Sequence, residues 1–379
     1  MYQDYSELFN DKVMSQNITA CFQCGACTAA CPLNIFNGVK LSPRQFLRRM
    51  QLGLPINVDP YLCMMCRACE EVCPRNVKVT EVIHGLRKIL FRNNRAPIPL
   101  TQSLWKIYEE GNPWGYSSRM RGRWLNGLDA GIVKKRSETL LYVGCTSSYD
   151  IRLQRTATAI AKLLLKTGVD FTVLGDGEKC CGDPVYISGE TDFLEELVNE
   201  NIAKFNSLGV RRIVTISPHC YLMFRDIYPK YGGAYETLHY TQYLTDLIDA
   251  GKLSIDARLE KRATYHDPCY LGRYAKIYEQ PRKLIENIKG LSFEEMSLAK
   301  ELALCCGGGG GRILMESKPE ERPSNIRIKQ AAETGADILV TSCPYCIINF
   351  EDSAKTQKTP IKVMDVAELL QTAVGGQHE

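Results

Sequence analysis

Two cysteine runs constrain this chain more than any other feature. Cys21, Cys24, Cys27 and Cys31 are followed by Pro32, and Cys63, Cys66, Cys69 and Cys73 by Pro74. Each run reads C-x2-C-x2-C-x3-C-P, a spacing that holds paired [4Fe–4S] clusters. The reason is steric. Three closely spaced thiolates on a tight loop cap three irons of one cubane, and the fourth, past a turn, points away to complete the other. By that logic Cys21, Cys24, Cys27 and Cys73 form one set, and Cys63, Cys66, Cys69 and Cys31 the other. Zinc knuckles or inert buried thiols are the competing readings, but zinc normally takes four ligands per site without this exchange.

The surroundings fit an intracellular metal protein. The chain has 379 residues, of which 17 are cysteine, an odd number. Disulfides do not persist in a reducing compartment. The N-terminal stretch carries Asp4, Glu7 and Asp11 and no apolar core, unlike a secretory signal. No uncharged apolar run approaches the roughly 18–20 residues of a membrane span. With 47 basic and 43 acidic residues the formal charge is +4, too balanced for a nucleic-acid binder. The expected location is cytoplasmic, or peripheral on the inner face of the membrane through a partner.

The remaining nine cysteines lie in two similar segments. Cys145 precedes Cys180-Cys181-Gly182 and Cys220; Cys269 precedes Cys305-Cys306-Gly307, Cys343 and Cys346. Cys145 to Cys181 spans 36 positions and Cys269 to Cys306 spans 37. Residues 209–220 align without a gap over 335–346, so the segments are a duplication. One position differs in kind: Ser217 stands where Cys343 stands.

Periodicity places these residues. Phe46, Leu47 and Met50 predict a helix over Arg44 to Leu52, favouring a helical rather than a two-hairpin N-terminal domain. A proline-containing linker follows at Ala96-Pro97-Ile98-Pro99. Thr139 to Val143, Phe171 to Leu174, Ile213 to Ile216 and Ile338 to Thr341 read as strands; Arg152 to Lys166 and Phe193 to Leu208 read as helices. Such alternation implies largely parallel sheets, whose functional residues collect beyond the carboxyl ends of the strands. Cys145, Cys220, Cys343 and Cys346 all fall there.

The duplicated segments resemble the paired CCG cysteine-rich domains of heterodisulfide reductases. The resemblance rests on Cys180-Cys181-Gly182, Ser217-Pro-His-Cys220-Tyr, His266-Asp-Pro-Cys269-Tyr-Leu-Gly-Arg273, Cys305-Cys306-Gly307 with the glycines running to Arg312, and Cys343-Pro-Tyr-Cys346. An N-terminal 2[4Fe–4S] ferredoxin joined to two such domains is similar to the HdrD polypeptide of heterodisulfide reductases. It is also similar to the iron–sulfur subunits of anaerobic glycerol-3-phosphate, glycolate and lactate dehydrogenases, and to proteins linking electron-transfer flavoprotein to quinone. The implied fold is a multi-domain α+β chain, a helical ferredoxin followed by two tandem α/β CCG domains. The boundaries are 1–95 for the ferredoxin, 96–136 for the linker, 137–258 for the degenerate first CCG domain and 259–379 for the complete second.

The resemblance implies a noncubane [4Fe–4S] cluster on Cys269, Cys305, Cys306, Cys343 and Cys346, the catalytic set. Adjacent cysteines do not readily ligate separate corners of a regular cube, which also favours an unusual cluster. Gly307 to Gly311 would let backbone approach the sulfurs and donate N–H groups to them. Cys145, Cys180, Cys181 and Cys220 would hold a modified cluster, or zinc, or nothing, with His219 as an assisting group; a serine hydroxyl is a poor iron ligand beside thiolates. Neither glycine run is a dinucleotide fingerprint, so no FAD or NAD is expected on this chain. The implied activity is that of an oxidoreductase subunit of anaerobic, methanogenesis-type metabolism. Electrons would pass through two cubanes to the noncubane site for thiol–disulfide chemistry. The alternative is a connector between a flavin dehydrogenase or electron-transfer flavoprotein and a quinone pool. Partners would be a flavoprotein or membrane cytochrome b, with a disulfide or thiol substrate.

Smaller signals complete the reading. His266-Asp267, just before Cys269, suits either cluster tuning and proton relay or a capping turn. His239 reads as a packed surface histidine. Arg119, Arg121, Arg123, Lys134, Lys135 and Arg136 read as a solvated face or an acidic-partner dock. Trp105, Trp114 and Trp124 suggest packing across domains or against another subunit.

Overall fold

The computed structural model describes residues 5–35 and 41–374; Asp4 of the N-terminal acids lies outside them. Among the described residues no β-strand precedes Thr139, so the N-terminal region is helical, as the 3.6-residue spacing of Phe46, Leu47 and Met50 implies. Those three side chains are buried on the helix Pro43–Gln51. Its start is encoded locally: Ser42 caps it by accepting from Gln45 N, and Pro43 occupies the first turn. The longer helix Val79–Arg92 forms the spine of this region and buries Val82, Ile83, Leu86, Ile89 and Leu90.

The linker is more ordered than its prolines suggest. Pro97 precedes a 13-residue helix, Ile98–Glu110, with Pro99 in the first turn where its missing N–H costs nothing. Of the three tryptophans, Trp124 is buried, whereas Trp105 is 65% exposed.

Each duplicated segment builds a parallel sheet. In the first, β1 (Thr139–Tyr142), β2 (Arg212–Thr215) and β3 (Glu236–His239) lie in the order β1-β2-β3. In the second, β4 (Arg262–Tyr265), β5 (Ser292–Phe293), β6 (Ile338–Thr341) and β7 (Lys362–Asp365) lie in the order β5-β4-β6-β7. Thus β1-β2-β3 corresponds to β4-β6-β7. The predicted strand over Phe171 to Leu174 shrinks to one bridge, Leu140 with Thr172, at the edge that β5 occupies in the second unit. Beyond β3 and β7 the chain enters helices Tyr240–Asp249 and Val366–Ala373, each opened by a capping box. His239 is the first of these caps. It is wholly buried rather than at the surface, its Nε2 on the Ile216 carbonyl at 3.0 Å.

One core spans both sheets. Leu141, Val214 and Tyr240 of the first unit share a cluster with Tyr265, Val340 and Val366 of the second. Tyr240 donates to Asp365 at 2.7 Å across that boundary. Arg152 reaches from the first unit to Glu351 and Glu368 of the second.

Candidate metal centres

The two N-terminal loops share a backbone device. Gln23 and Gly25 have φ of 67° and 91°, and Met65 and Arg67, at the matching positions, 52° and 60°. Left-handed residues at alternate positions curl each loop around its own thiols; three of the four are not glycine, so the surroundings must hold them there. Arg67, for example, is laid over the Tyr274 ring at 3.7 Å. The thiols gather accordingly. Burial and the neighbouring thiols of Cys21, Cys24 and Cys73 raise Cys27. Burial, then Cys66 and Cys63, push Cys31 up to about 12. Cys69 is raised by burial and by Cys63, Cys66 and Cys31 among its charged neighbours. Each run therefore sends its last thiol to the other run's group. Thiols raised in this way keep their protons at neutral pH unless a metal displaces them.

In the first duplicated unit Cys145 opens a helical turn just past β1, and Cys220 lies on the turn Pro218–Leu222 just past β2. Thiol–thiol contacts run from Cys145 to Cys180, to Cys181 and to Cys220. Arg121, from the connecting segment, is buried rather than solvated; it donates to Cys145 Sγ at 3.4 Å and to Glu178 at 2.7 Å. Glu178 in turn accepts from the N–H groups of Val143 and Gly144. Ser217 uses its hydroxyl to accept from His219 N at 3.3 Å, capping its turn. The cavity among these groups is about 20 Å³.

All five cysteines converge in the second unit. Cys269 Sγ lies 3.9 Å from Cys305 Sγ, and Cys346 Sγ 3.2 Å from Cys306 Sγ. Burial pushes the Cys343 thiol up, but hydrogen bonds from Cys346 and His219 outweigh it and bring it down to about 6. Gly307 N–H points at Cys305 Sγ at 3.4 Å, as Gly182 N–H does at Cys180 Sγ. Cys306 also lines an open cleft of about 530 Å³ with Gly308, Arg312 and Asn349.

Three features join these centres, and none is evident from spacing. First, His219 does not serve its own unit's thiols. Its Nδ1 meets Asp183 at 3.2 Å, its ring stacks on Tyr270 at 3.8 Å, and it hydrogen-bonds Cys343 of the other unit. Burial opposes its charge, yet Asp183 and Cys343 push its pKa up to about 10. Tyr345, at the aligned position, is half-buried beside Cys145, Cys180 and Cys181 of the first unit. The two units exchange these side chains. Second, Cys305 contacts Cys66 of the N-terminal region, and buried Arg273 ties the two regions together, donating from Nε to the Cys66 carbonyl at 2.5 Å and from Nη1 to the Ala303 carbonyl at 2.7 Å. Third, Gly309 and Gly310 press against the backbone of Cys63 and Met64; a Cβ on Gly309 would come within 2.6 Å of the Met64 oxygen. The glycine run serves domain docking as well as sulfur contact.

The charge pattern fits iron–sulfur clusters. Arg87 is fully buried, and its guanidinium donates to carbonyls, those of Pro60, Cys63, Ile187 and Gly310. A cation this deep without a carboxylate costs several kcal/mol. Arg273 is similar, its buried Nη2 lacking a partner among the described residues. Thiolate-ligated clusters carry net negative charge, and these cations stand beside Cys63, Cys66, Cys269 and Cys305. Among the described residues no helix is long and apolar enough to cross a membrane.

Comparison with known proteins agrees with this layout. A "Cysteine-rich domain" family matches residues 139–225 and 263–351, and a "4Fe-4S dicluster domain" family matches residues 20–77. The D polypeptide of the dihydromethanophenazine:CoB–CoM heterodisulfide reductase of Methanosarcina barkeri is 30% identical, over 96% of this chain and 95% of its own. The probable iron-sulfur-binding oxidoreductase FadF of Bacillus subtilis is 36% identical over 79% of this chain. The EtfAB:quinone oxidoreductase of Syntrophomonas wolfei is 34% identical over 78%. The matched region spans 44% of each of these last two, less than half their length. A crystal structure of a hypothetical protein from Helicobacter pylori shares the fold, with a TM-score of 0.52 and 11% identity, over 99% of this chain and 76% of that one.

Proposed function

Because the chain belongs to the family of HdrD-like iron–sulfur proteins of heterodisulfide reductases, we propose that it is the electron-transferring and catalytic iron–sulfur subunit of an oxidoreductase acting on a thiol–disulfide couple. The observation that carries this reading is the contact between Cys66 and Cys305, which joins the N-terminal thiol groups to the five-cysteine group inside one chain. The ligand sets are Cys21, Cys24, Cys27 and Cys73 for one cubane, Cys63, Cys66, Cys69 and Cys31 for the other, and Cys269, Cys305, Cys306, Cys343 and Cys346 for a noncubane cluster. The four thiols of the first unit hold a further metal. Bound clusters would supply one-electron steps. The residues around them position and insulate. Arg273 and Arg87 balance thiolate charge, Gly309 and Gly310 bring the domains into contact, and Tyr270 with Met64 keeps water from the junction. The cleft at Cys306 is the approach for a substrate sulfur. The division into 1–95, 96–136, 137–258 and 259–379 is part of this proposal, as are partner subunits of flavoprotein or cytochrome b type.

A second reading, a connector between a flavoprotein and quinone, is favoured by the closed first site. His219, Tyr270 and Tyr345 fill the space between the two units, leaving only about 20 Å³ at the first. Anaerobic protein should hold at least about eight irons per chain from two cubanes; fewer would defeat both readings. Turnover of the CoB–CoM heterodisulfide with a reduced dye supports the first reading, and its absence in fully loaded protein favours the second.

A further inference from the structure

His266 stands at the end of β4, pinned by its backbone: its N–H donates to Val340 O at 2.8 Å, and its carbonyl accepts from Thr341 Oγ1 at 3.2 Å. The ring is wholly buried and set edge-on to Phe350 at 4.6 Å. Its Nδ1 lies 3.2 Å from Arg327 Nε. An arginine Nε can only donate, so Nδ1 accepts, and the proton of a neutral imidazole is on Nε2. Nε2 is buried without a hydrogen-bond partner among the described residues. The ligand-type atoms of His266, Cys306 and Cys346 lie within 4.8 Å of one another. Such a trio looks like a metal-binding set, but the tautomer decides otherwise. A ligating nitrogen needs its lone pair, and the lone pair of this ring already faces Arg327.

We infer that His266 is a positioning residue that donates a hydrogen bond from Nε2 to the Cys306 sulfur and thereby raises the reduction potential of the group held by the second unit. The inference rests on the proposed cluster at Cys269, Cys305, Cys306, Cys343 and Cys346. Donation to a thiolate spreads its negative charge and favours the more negative, reduced state. The first unit lacks the device. Tyr142 occupies the position three before Cys145, as His266 does before Cys269, and its hydroxyl is spent on the Lys179 carbonyl. Asn201 stands where Arg327 does, and it bonds the Cys180 carbonyl and Tyr228.

The test uses the full chain, loaded anaerobically and titrated with dithionite under electron paramagnetic resonance. His266→Phe keeps the ring shape and removes the donor; His266→Gln restores an N–H near the same place. The expected result is unchanged iron in both, a lower midpoint potential for the second-unit signal in His266→Phe, and recovery toward the wild-type value in His266→Gln. Electron–nuclear double resonance on the wild-type protein should show an exchangeable proton coupled to that signal, lost in deuterium oxide. This last measurement stands even if the phenylalanine variant does not fold. An unshifted midpoint, or no exchangeable proton, overturns the inference. So does a directly bonded nitrogen coupling accompanied by loss of second-unit iron in His266→Phe, which would make His266 a ligand. No second-unit signal in the wild-type protein would instead overturn the cluster assignment on which the inference rests.

Discussion

The two duplicated units present the same parallel strand order and the same CCG loop, yet their sites have diverged. The second converges five thiols, opens to a cleft of about 530 Å³ and has a histidine behind Cys306. The first has four thiols, a cavity of about 20 Å³ and a buried Arg121–Glu178 pair beneath Cys145. Duplication preserved the scaffold and let the chemistry specialise. The side chains exchanged between units, His219 and Tyr345, tie the reduced site to the complete one.

The comparison breaks most sharply at the second cysteine of each doublet. Cys306→Ser should remove about four irons per chain, together with the second-unit resonance signal, while leaving the N-terminal clusters. Cys181→Ser should remove less iron. Equal losses measured by iron assay would mean that the two sites are loaded alike.

The next effect concerns docking. Gly310 has φ of 62° and abuts the Cys63 carbonyl, whereas the first unit carries Pro184 shortly after its CCG. Gly310→Ala should cost about 3 kcal/mol, from strained backbone and overpacking. Pro184→Ala should cost under about 1 kcal/mol. Thermal unfolding of the loaded proteins would measure both, and similar midpoints would remove the asymmetry. Ser217→Cys tests the divergence itself. It should add iron and a second noncubane signal, at the loss of about 1 kcal/mol of helix capping. An unchanged spectrum would count against the alignment of Ser217 with Cys343.

The last comparison lies in the equivalent caps. Burial lowers His239 to about 3 and raises Asp365 to about 8. His239 therefore binds its proton more weakly folded than unfolded, and its contribution fades as pH falls from about 6.5 toward 3. Asp365 binds its proton more tightly folded, so its contribution fades as pH rises from about 4 toward 8. His239→Gln should flatten the acid limb of the stability profile and Asp365→Asn the alkaline limb. Unfolding midpoints across pH that keep both limbs would show that other groups set them.

Much of this architecture is legible in the chain. Cysteine spacing is a local property, and local spacing determines which thiols can share a loop; the gapless repeat at 209–220 and 335–346 reveals the duplication and isolates Ser217. Strand periodicity locates β1, β2 and β6. What escapes is long-range. Nothing near Arg87 in sequence says that its guanidinium will reach carbonyls at Cys63, Ile187 and Gly310. The glycines after Cys306 suggest closeness to sulfur, but Gly309 and Gly310 also mate with another domain. His219 carries the right chemistry for the wrong unit, because a residue's neighbours in sequence do not specify its neighbours across a pseudo-symmetric interface. Arg121 is hidden by flanking exposed arginines; burial inside a basic run leaves no periodic trace.

The seal at Gly309–Gly310 bears on how the molecule is made. Once those glycines rest on Cys63 and Met64, with Arg87 binding both sides, Cys66 and Cys305 lie buried where the two domains meet. Iron and sulfide bound for that junction are expected to enter before the domains close, so metal-free protein folded first should take up less iron on anaerobic reconstitution than protein loaded during folding. The expected order is cluster insertion first and closure second, with a chain that closes empty reopening before it loads.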